Sequence, residues 1–197
     1  MPRNYTPLNS SLLQPESGFC QPTQSMPNRV ELDADADVVM TDFKQVSAVL
    51  IRPGDGIDEA NRRMIQRGVR LLLAADENRN VAGIITATDI LGEKPLQVIA
   101  ERGGRREDVL VRDVMTPQHR LEVLHMEDVR RAKVGHVVAT LKKSGRQHAL
   151  VVEVDRNGLQ TVRGLFSVTQ IARQLGIAIQ PSEVAHTFSE IEALLAR

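Results

Sequence analysis

Residues 81–91 read VAGIITATDIL, and residues 162–175 read VRGLFSVTQIARQL. Aligned at Gly83 and Gly164, each stretch is an apolar run, a glycine, two apolar residues, a threonine or serine, and the apolar start of a helix. An internal repeat constrains the architecture before any single residue is interpreted, because each copy has to be one supersecondary unit. Two such units can bury a common apolar face.

The segments around the two stretches follow the same order. The first unit is predicted as strand 47–51, a helix from Ile57 that ends at Gly68, strands 71–75 and 81–85, and a helix from about 86–89. The second is predicted as strand 121–124, one long helix over 127–143, strands 149–154 and 161–166, and a helix over 168–175. Each unit is also preceded by Met-Thr, at Met40 and at Met115. The pattern predicts an α+β fold of two βαββα repeats.

The predicted organisation has four parts. Residues 1–30 are rich in Pro, Ser, Asn and Gln and are expected to form a flexible or extended arm that is dispensable for folding. Residues 31–105 and 106–176 are the two repeats. Residues 177–197 form a tail in which Thr187 and Glu190 suggest a capping box for a short last helix.

Composition excludes several classes of function. Lys+Arg and Asp+Glu number 25 each, so overall charge indicates neither nucleic acid nor an anionic membrane as a partner. No apolar run approaches the ~20 residues of a membrane helix, and no signal peptide is visible. The single cysteine, Cys20, is typical of a reducing compartment. We therefore expect a cytoplasmic protein.

The paired Met-Thr entries, the helices ending in glycine and the Gly-apolar-apolar-Thr/Ser turns resemble a tandem pair of cystathionine β-synthase (CBS) domains, a Bateman module. The first unit follows the family pattern closely, and the second matches less well. The resemblance implies three-stranded sheets with two helices each, packed by their sheets into a pseudo-symmetric pair that commonly forms a homodimer. It also implies clefts that bind adenosine-containing ligands such as AMP, ADP, ATP or S-adenosylmethionine, with no cofactor required.

The first candidate ligand site is centred on Asp89. Its carboxylate could accept the hydroxyls of a ribose, and Thr86 could donate to phosphate or ribose, which the resemblance also implies. The competing interpretation is structural, with Thr86 as a helix N-cap and Asp89 completing a capping box. The predicted ligand-binding set is Gly83, Ile85, Thr86, Thr88, Asp89, Leu71 and Leu73.

A second, weaker site is predicted at Ser167, Thr169 and Gln170, where glutamine replaces the aspartate of the pattern. An amide can accept from a hydroxyl, but the charge assistance is lost. We expect this site to be weak, altered or empty, with Ser167 acting mainly as a helix cap.

Other candidates carry less. The five histidines lack ligand spacing, so no metal site is predicted. The basic residues Arg102, Arg105 and Arg106, with Lys94 upstream, are interpreted as a solvated loop, although a phosphate tail could reach them. No nucleophile or phosphate-binding motif indicates an enzyme, and no catalytic residue is predicted.

The sequence therefore predicts a regulatory module that senses adenine nucleotides or related adenosyl ligands and signals to an unidentified protein effector. The alternative is a structural dimerisation or interaction module without a ligand. A homodimer is expected because the helical face of Val134, Val137, Val138 and Leu141 would otherwise have limited cover.

Overall fold

The computed structural model describes residues 24–177. Eight strands are present among these residues: β1 Thr41–Asp42, β2 Leu50–Ile51, β3 Leu71–Ala75, β4 Val81–Thr86, β5 Thr116–Pro117, β6 Val123–His125, β7 His148–Val154 and β8 Gln160–Ser167. The helices are α1 Ile57–Arg67, α2 Ala87–Leu91, α3 Lys94–Arg102, α4 Val111–Val114, α5 Met126–Val129, α6 Val134–Ser144 and α7 Val168–Gln174, with short 3-10 turns at Ala36–Val39, Arg106–Asp108 and Gln118–Arg120.

Each repeat has the predicted order of strand, helix, strand, strand, helix. The α+β assignment is confirmed. In the first repeat α1 ends at Gly68, whose φ of 62° is the left-handed conformation that favours glycine. In the second, α6 ends in the same way at Gly145, with a φ of 63°. These two glycines turn the chain back towards the strand that follows each helix.

The two sheets have four strands each, one more than the resemblance implies, because the entry segments cross over. One sheet has the order β2-β3-β4-β5 and the other β1-β8-β7-β6. Strand β1 precedes the first repeat but pairs antiparallel with β8 of the second, and β5 precedes the second repeat but pairs with β4 of the first. The boundaries at 31–105 and 106–176 remain a prediction along the sequence, and the spatial units cross them.

The repeated glycines are explained by this crossover. A Cβ atom on Gly83 would lie 2.5 Å from the carbonyl oxygen of Thr116, and one on Gly164 would lie 2.6 Å from that of Thr41. These gaps are too short for any side chain. The glycine of each repeat therefore lets the entry strand of the other repeat approach.

The core lies in three layers. One cluster covers the helices of the first repeat and contains Leu72, Ala74 and Ile85, and a second covers those of the other repeat. Between the sheets, Leu71 and Leu73 of β3 pack with Leu150 of β7. Alternate residues of β3 thus face the helices and the opposite sheet, as the period of a strand requires. The two repeats are joined through this inter-sheet layer.

The long helix predicted over 127–143 is wrong: α5 and α6 are separated by an extended Lys133. The chain before the first repeat takes the hydrogen bonds that a continuous helix would use. The Ala36 amide donates to the Ala132 carbonyl at 3.0 Å, and the Val134 amide donates to the Ala34 carbonyl at 2.9 Å. The break arises from this long-range pairing, which helical periodicity does not report.

Two predicted apolar faces also differ. The spacing of Ile57, Ala60, Met64 and Ile65 predicts one buried face of α1, but Ile65 is 72% exposed. The face of Val134, Val137, Val138 and Leu141 is buried within the protein's own core, so it does not support the homodimer prediction.

The last part of the predicted arm packs on the second repeat. The Gln24 amide donates to the Met40 carbonyl and accepts from the Asp42 amide, both at 2.8 Å. The Val30 amide donates to the Gln174 carbonyl at 2.9 Å, and the Val30 side chain joins the core. Residues 24–30 are therefore part of the fold. The rest of the arm and the predicted Thr187–Glu190 cap lie outside the described residues.

Candidate functional site

Two clefts lie between the repeats, and each is lined by residues of both. The larger has a volume of about 830 Å³ and the smaller about 480 Å³. The larger cleft is bounded by the chain before β2, the turn from α1 into β3, and the start of α7. The smaller is bounded by the equivalent elements: the chain before β6, the turn from α6 into β7, and the start of α2. The two repeats thus form two clefts that are bounded by equivalent elements.

Asp89 lies on α2 and lines the smaller cleft, where its carboxylate already has several partners. Its Oδ2 accepts from the Thr86 amide at 2.8 Å and from the Thr86 hydroxyl at 2.7 Å, while the Asp89 amide donates to Thr86 Oγ1 at 3.2 Å. This is a complete capping box. The capping box that the structural interpretation predicts is therefore present.

Lys94 holds the other carboxylate oxygen. Its Nζ lies 2.5 Å from Asp89 Oδ1 and donates to the Val114 carbonyl at 3.0 Å. The Asp89 side chain is only 12% exposed. A ribose diol that used this carboxylate would have to displace the ammonium group or share the oxygens with it.

The second repeat presents different groups at the matching place. The Ser167 and Thr169 hydroxyls lie 2.9 Å apart and hydrogen-bond to each other, and no side-chain cap bond is present at Ser167. The Gln170 amide nitrogen contacts the sulfur of Met26 in the arm. The expectation that Ser167 serves mainly as a cap is wrong, because its hydroxyl is paired with Thr169 at the edge of the larger cleft.

The structure separates the seven residues predicted for the first site. Thr86, Thr88 and Asp89 line the smaller cleft. Leu71 and Leu73 line the larger one, together with Ser167, Thr169 and Gln170. Gly83 accommodates β5, and Ile85 is fully buried in the core, so neither lines a cleft.

The residues that take the places of Leu71 and Leu73 in the smaller cleft are His148 and Leu150. Both pairs occupy the first and third positions of the central strand after the glycine-ended helix, β3 or β7. The sequence-based prediction places Leu71 and Leu73 of β3 in one site with α2 of the same repeat. In the folded protein, a cleft combines the strand of one repeat with the α2 or α7 helix of the other.

The charge of the two clefts differs. The larger is lined by Arg67, Arg70 and Arg173 and, among the residues that the structure describes, by no acidic residue. Within residues 24–177 none of these three guanidinium groups forms an ion pair or side-chain hydrogen bond. The smaller cleft is lined by Lys94 and Arg146, which pair with Asp89 and Glu122 respectively, and by Arg120. The three arginines come from two separate segments of the chain, so no sequence motif predicts that they line one cleft.

His148 lines both clefts. Burial, the largest cause, and the nearby Arg70 charge together lower the pKa of the imidazole to about 4, while Asp89 opposes the shift. His148 is therefore neutral at pH 7. The His148 side chain thus interacts with the positive charge of Arg70 in the larger cleft and with the negative charge of Asp89 in the smaller one.

The other candidates are accounted for by local pairing. Arg102 pairs with Asp113 at 2.6 Å, Arg106 with Asp58 at 3.2 Å, and Arg105 with Glu107. Among residues 24–177, no group of three His, Cys, Asp or Glu side chains could hold a metal ion. No helix in that range is long and apolar enough to cross a membrane.

Comparison with known proteins gives one match to a family model. Residues 36–95, from the 3-10 turn before β1 to the start of α3, match the family model of the CBS domain. No curated protein sequence matches the chain.

Solved structures give the fold of the whole described region. An uncharacterized conserved protein from Pyrococcus horikoshii aligns with a TM-score of 0.54 at 20% identity, over 78% of this chain and 100% of that chain. A protein with CBS domains from Burkholderia ambifaria aligns with a TM-score of 0.50 at 20% identity, over 77% of this chain and 96% of that chain. Likeness at this level of identity concerns the fold alone.

Proposed function

We propose that the chain contains a tandem pair of CBS domains, and that this pair is a regulatory module that binds an adenine nucleotide or a related adenosyl ligand and passes the bound state to a protein partner. The observation that carries the proposal is the presence of two equivalent clefts, one lined by the Thr86, Thr88 and Asp89 of the family's ligand pattern. Each cleft is large enough for a small molecule. We propose no catalytic role and no required cofactor.

The proposed contacts follow from the chemistry of the smaller cleft. Asp89 offers an acceptor-only carboxylate that suits the two hydroxyls of a ribose. Lys94 lies beside it and could move from the carboxylate to a phosphate of the same ligand. Leu150 and Ile84 provide apolar lining for a base. We propose that the exchange of the Lys94 contact accompanies binding.

A second candidate function is a structural interaction module without a ligand. The observation that favours it is the complete engagement of the Asp89 carboxylate by Thr86 and Lys94. In this alternative, the motif is a helix cap that stabilises the turn into α2. It needs no ligand to explain the positions of the three side chains.

Thermal unfolding with AMP, ADP, ATP and S-adenosylmethionine separates the two candidates. A ligand at ~100 times its Kd adds about 2.7 kcal/mol to the free energy of unfolding, which is a Tm shift of roughly 5 to 10 °C for a chain of this size. Asp89→Asn should reduce the affinity for the active ligand about tenfold, because a charged acceptor is lost. Glu77→Gln, in the exposed turn between β3 and β4, is the matched control for the charge change. No shift with any of the four compounds would favour the interaction module.

A further inference from the structure

We infer that the larger cleft selects its ligand by negative charge and takes a molecule with a chain of two or more phosphate groups, held by Arg67, Arg70 and Arg173. The inference deepens the proposed function, because it assumes that the larger cleft is one of the module's ligand sites. It differs from that function in the recognised group, which is the phosphate chain and not the ribose.

The three arginines approach the cleft from different elements. Arg67 is the last residue of α1, Arg70 directly precedes β3, and Arg173 lies on α7 of the other repeat. All three side chains are exposed at the cleft. A ligand that contacts all three would therefore bridge the two repeats. Because Arg67 and Arg70 belong to one repeat and Arg173 to the other, a phosphate chain, which presents oxygens along its length, suits this cleft of about 830 Å³ better than a single phosphate.

The charge of these arginines is not balanced inside the described structure. By contrast, Arg62 and Arg63 on the same α1 helix both pair with Glu59, and Arg163 pairs with Asp42. The larger cleft has no acidic lining residue that could take this role. Three cations without a counter-ion around one cleft favour an anionic ligand, and arginine forms paired hydrogen bonds with phosphate oxygens.

The remaining polar groups of the cleft suit phosphate better than ribose. One of the Ser167 and Thr169 hydroxyls donates its proton to the other, and the accepting hydroxyl can donate its own proton to a ligand oxygen. Gln170 replaces the carboxylate of the ribose pattern, and its amide nitrogen is directed to Met26. The larger cleft thus has donors and cations, and it lacks the anionic acceptor that distinguishes the smaller one.

The test measures binding of sodium tripolyphosphate to the full chain by calorimetry and by Tm, with orthophosphate and adenosine as comparison probes, at fixed ionic strength and with a chelator present. We expect tripolyphosphate to bind at least tenfold more tightly than orthophosphate, and adenosine to leave the larger cleft empty. Arg67→Gln, Arg70→Gln and Arg173→Gln should each weaken tripolyphosphate binding about tenfold or more, because each removes charge-assisted hydrogen bonds. Arg156→Gln, in the exposed hairpin turn, is the control of equal charge change and should have little effect.

A second readout locates the bound anion. His148 lines the same cleft, and the Arg70 charge contributes to its low pKa. A phosphate chain on Arg70 should therefore raise the pKa of His148, which imidazole NMR signals followed through a pH titration would show. An unchanged His148 pKa in the tripolyphosphate complex would place the anion elsewhere and overturn the inference.

Two other outcomes would also overturn it. An Arg156→Gln variant that weakens binding as much as the cleft variants would show attraction by overall charge only. Binding of ATP and S-adenosylmethionine without any binding of tripolyphosphate would leave the proposed function intact and refute the charge-based cleft. Binding of tripolyphosphate alone would support the inference while the adenosyl ligand of the proposed function fails.

Discussion

The larger and smaller clefts are made from equivalent elements, but they differ in whether the basic side chains that line them are paired with acidic ones. In the smaller cleft, Lys94 pairs with Asp89 and Arg146 with Glu122. In the larger, Arg67, Arg70 and Arg173 are exposed, and the described part of the chain contributes no acidic lining residue. The two clefts thus share their backbone elements and differ in their side chains. A shared fold does not give the two clefts a shared ligand chemistry.

The features that remain equivalent are those that the backbone enforces. Each repeat keeps a glycine opposite the entry strand of the other and a left-handed glycine after its longest helix. The features that diverged are side chains at the cleft edges, where Leu71 corresponds to His148 and Asp89 to Gln170.

The largest expected effect tests the equivalence of the crossovers. Gly83→Ala and Gly164→Ala should each lower the free energy of unfolding by roughly 2 to 3 kcal/mol, because the new methyl would meet backbone carbonyl oxygens at 2.5 and 2.6 Å. Urea unfolding measures the loss. Gly54→Ala, where nothing lies within 4 Å, is the control. A large loss in only one of the two variants would show that the crossovers are not equivalent.

The next largest effect tests the difference between His148 and Leu71, which occupy equivalent positions at the start of β7 and β3. The pKa of His148 is about 4 in the folded protein against 6.5 as its ordinary value, so below pH 6.5 the unfolded chain binds a proton that the folded protein does not. Its contribution to stability is complete above pH 6.5 and is lost as the pH falls towards 4. Between pH 7 and pH 5 the wild type should lose roughly 1 to 2 kcal/mol more than His148→Leu.

Denaturant unfolding of both proteins at the two pH values isolates this term, because the carboxylates titrate in both. The leucine variant places the residue of the first repeat in the second and so removes the asymmetry. Equal pH dependence of the two proteins would contradict the low pKa of His148.

The Asp89 and Gln170 positions should differ in stability even without ligand. Asp89→Ala removes the capping box and the Lys94 pair, at an expected cost of about 1 kcal/mol. Gln170→Ala should cost less than about 0.5 kcal/mol, because the amide makes only a contact with Met26 sulfur. Chemical denaturation of the two variants in parallel measures the difference. Equal losses of stability would contradict the larger contribution expected from the capping box and the Lys94 pair.

The sequence predicted the order of elements well because each repeat carries local signals. Gly68, Gly145 and the Thr86–Asp89 capping pattern act over a few residues, and the structure shows all three. The break at Lys133 and the extra strand of each sheet could not be predicted in this way, since they depend on pairing between distant segments.

The composition of the clefts was harder to predict than the fold. The motif placed Thr86, Thr88 and Asp89 together correctly, because they are neighbours on one turn. It assigned Leu71 and Leu73 to the wrong cleft, since only the packing of the two sheets decides which strand meets which helix. The charge of the larger cleft could not be predicted for the same reason. The motif shows only that Gln170 replaces an aspartate, whereas Arg70 and Arg173 come from different repeats and meet only in the folded protein.

The smallest expected effect tests an asymmetry between the two entry strands. Gln24 bonds to both Met40 and Asp42 and so holds β1, and no described side chain makes an equivalent pair of bonds to β5. Gln24→Ala should cost about 0.5 to 1 kcal/mol, because the partly buried Asp42 amide loses its acceptor. Gln97→Ala, on an exposed position of α3, is the matched control.

Urea unfolding should also show a greater loss of stability on deleting residues 1–30 than on deleting 1–23, since only the longer deletion removes Gln24 and Val30. If both deletions leave stability unchanged, the arm is dispensable throughout, as its composition suggests, and the clamp on β1 contributes no measurable free energy.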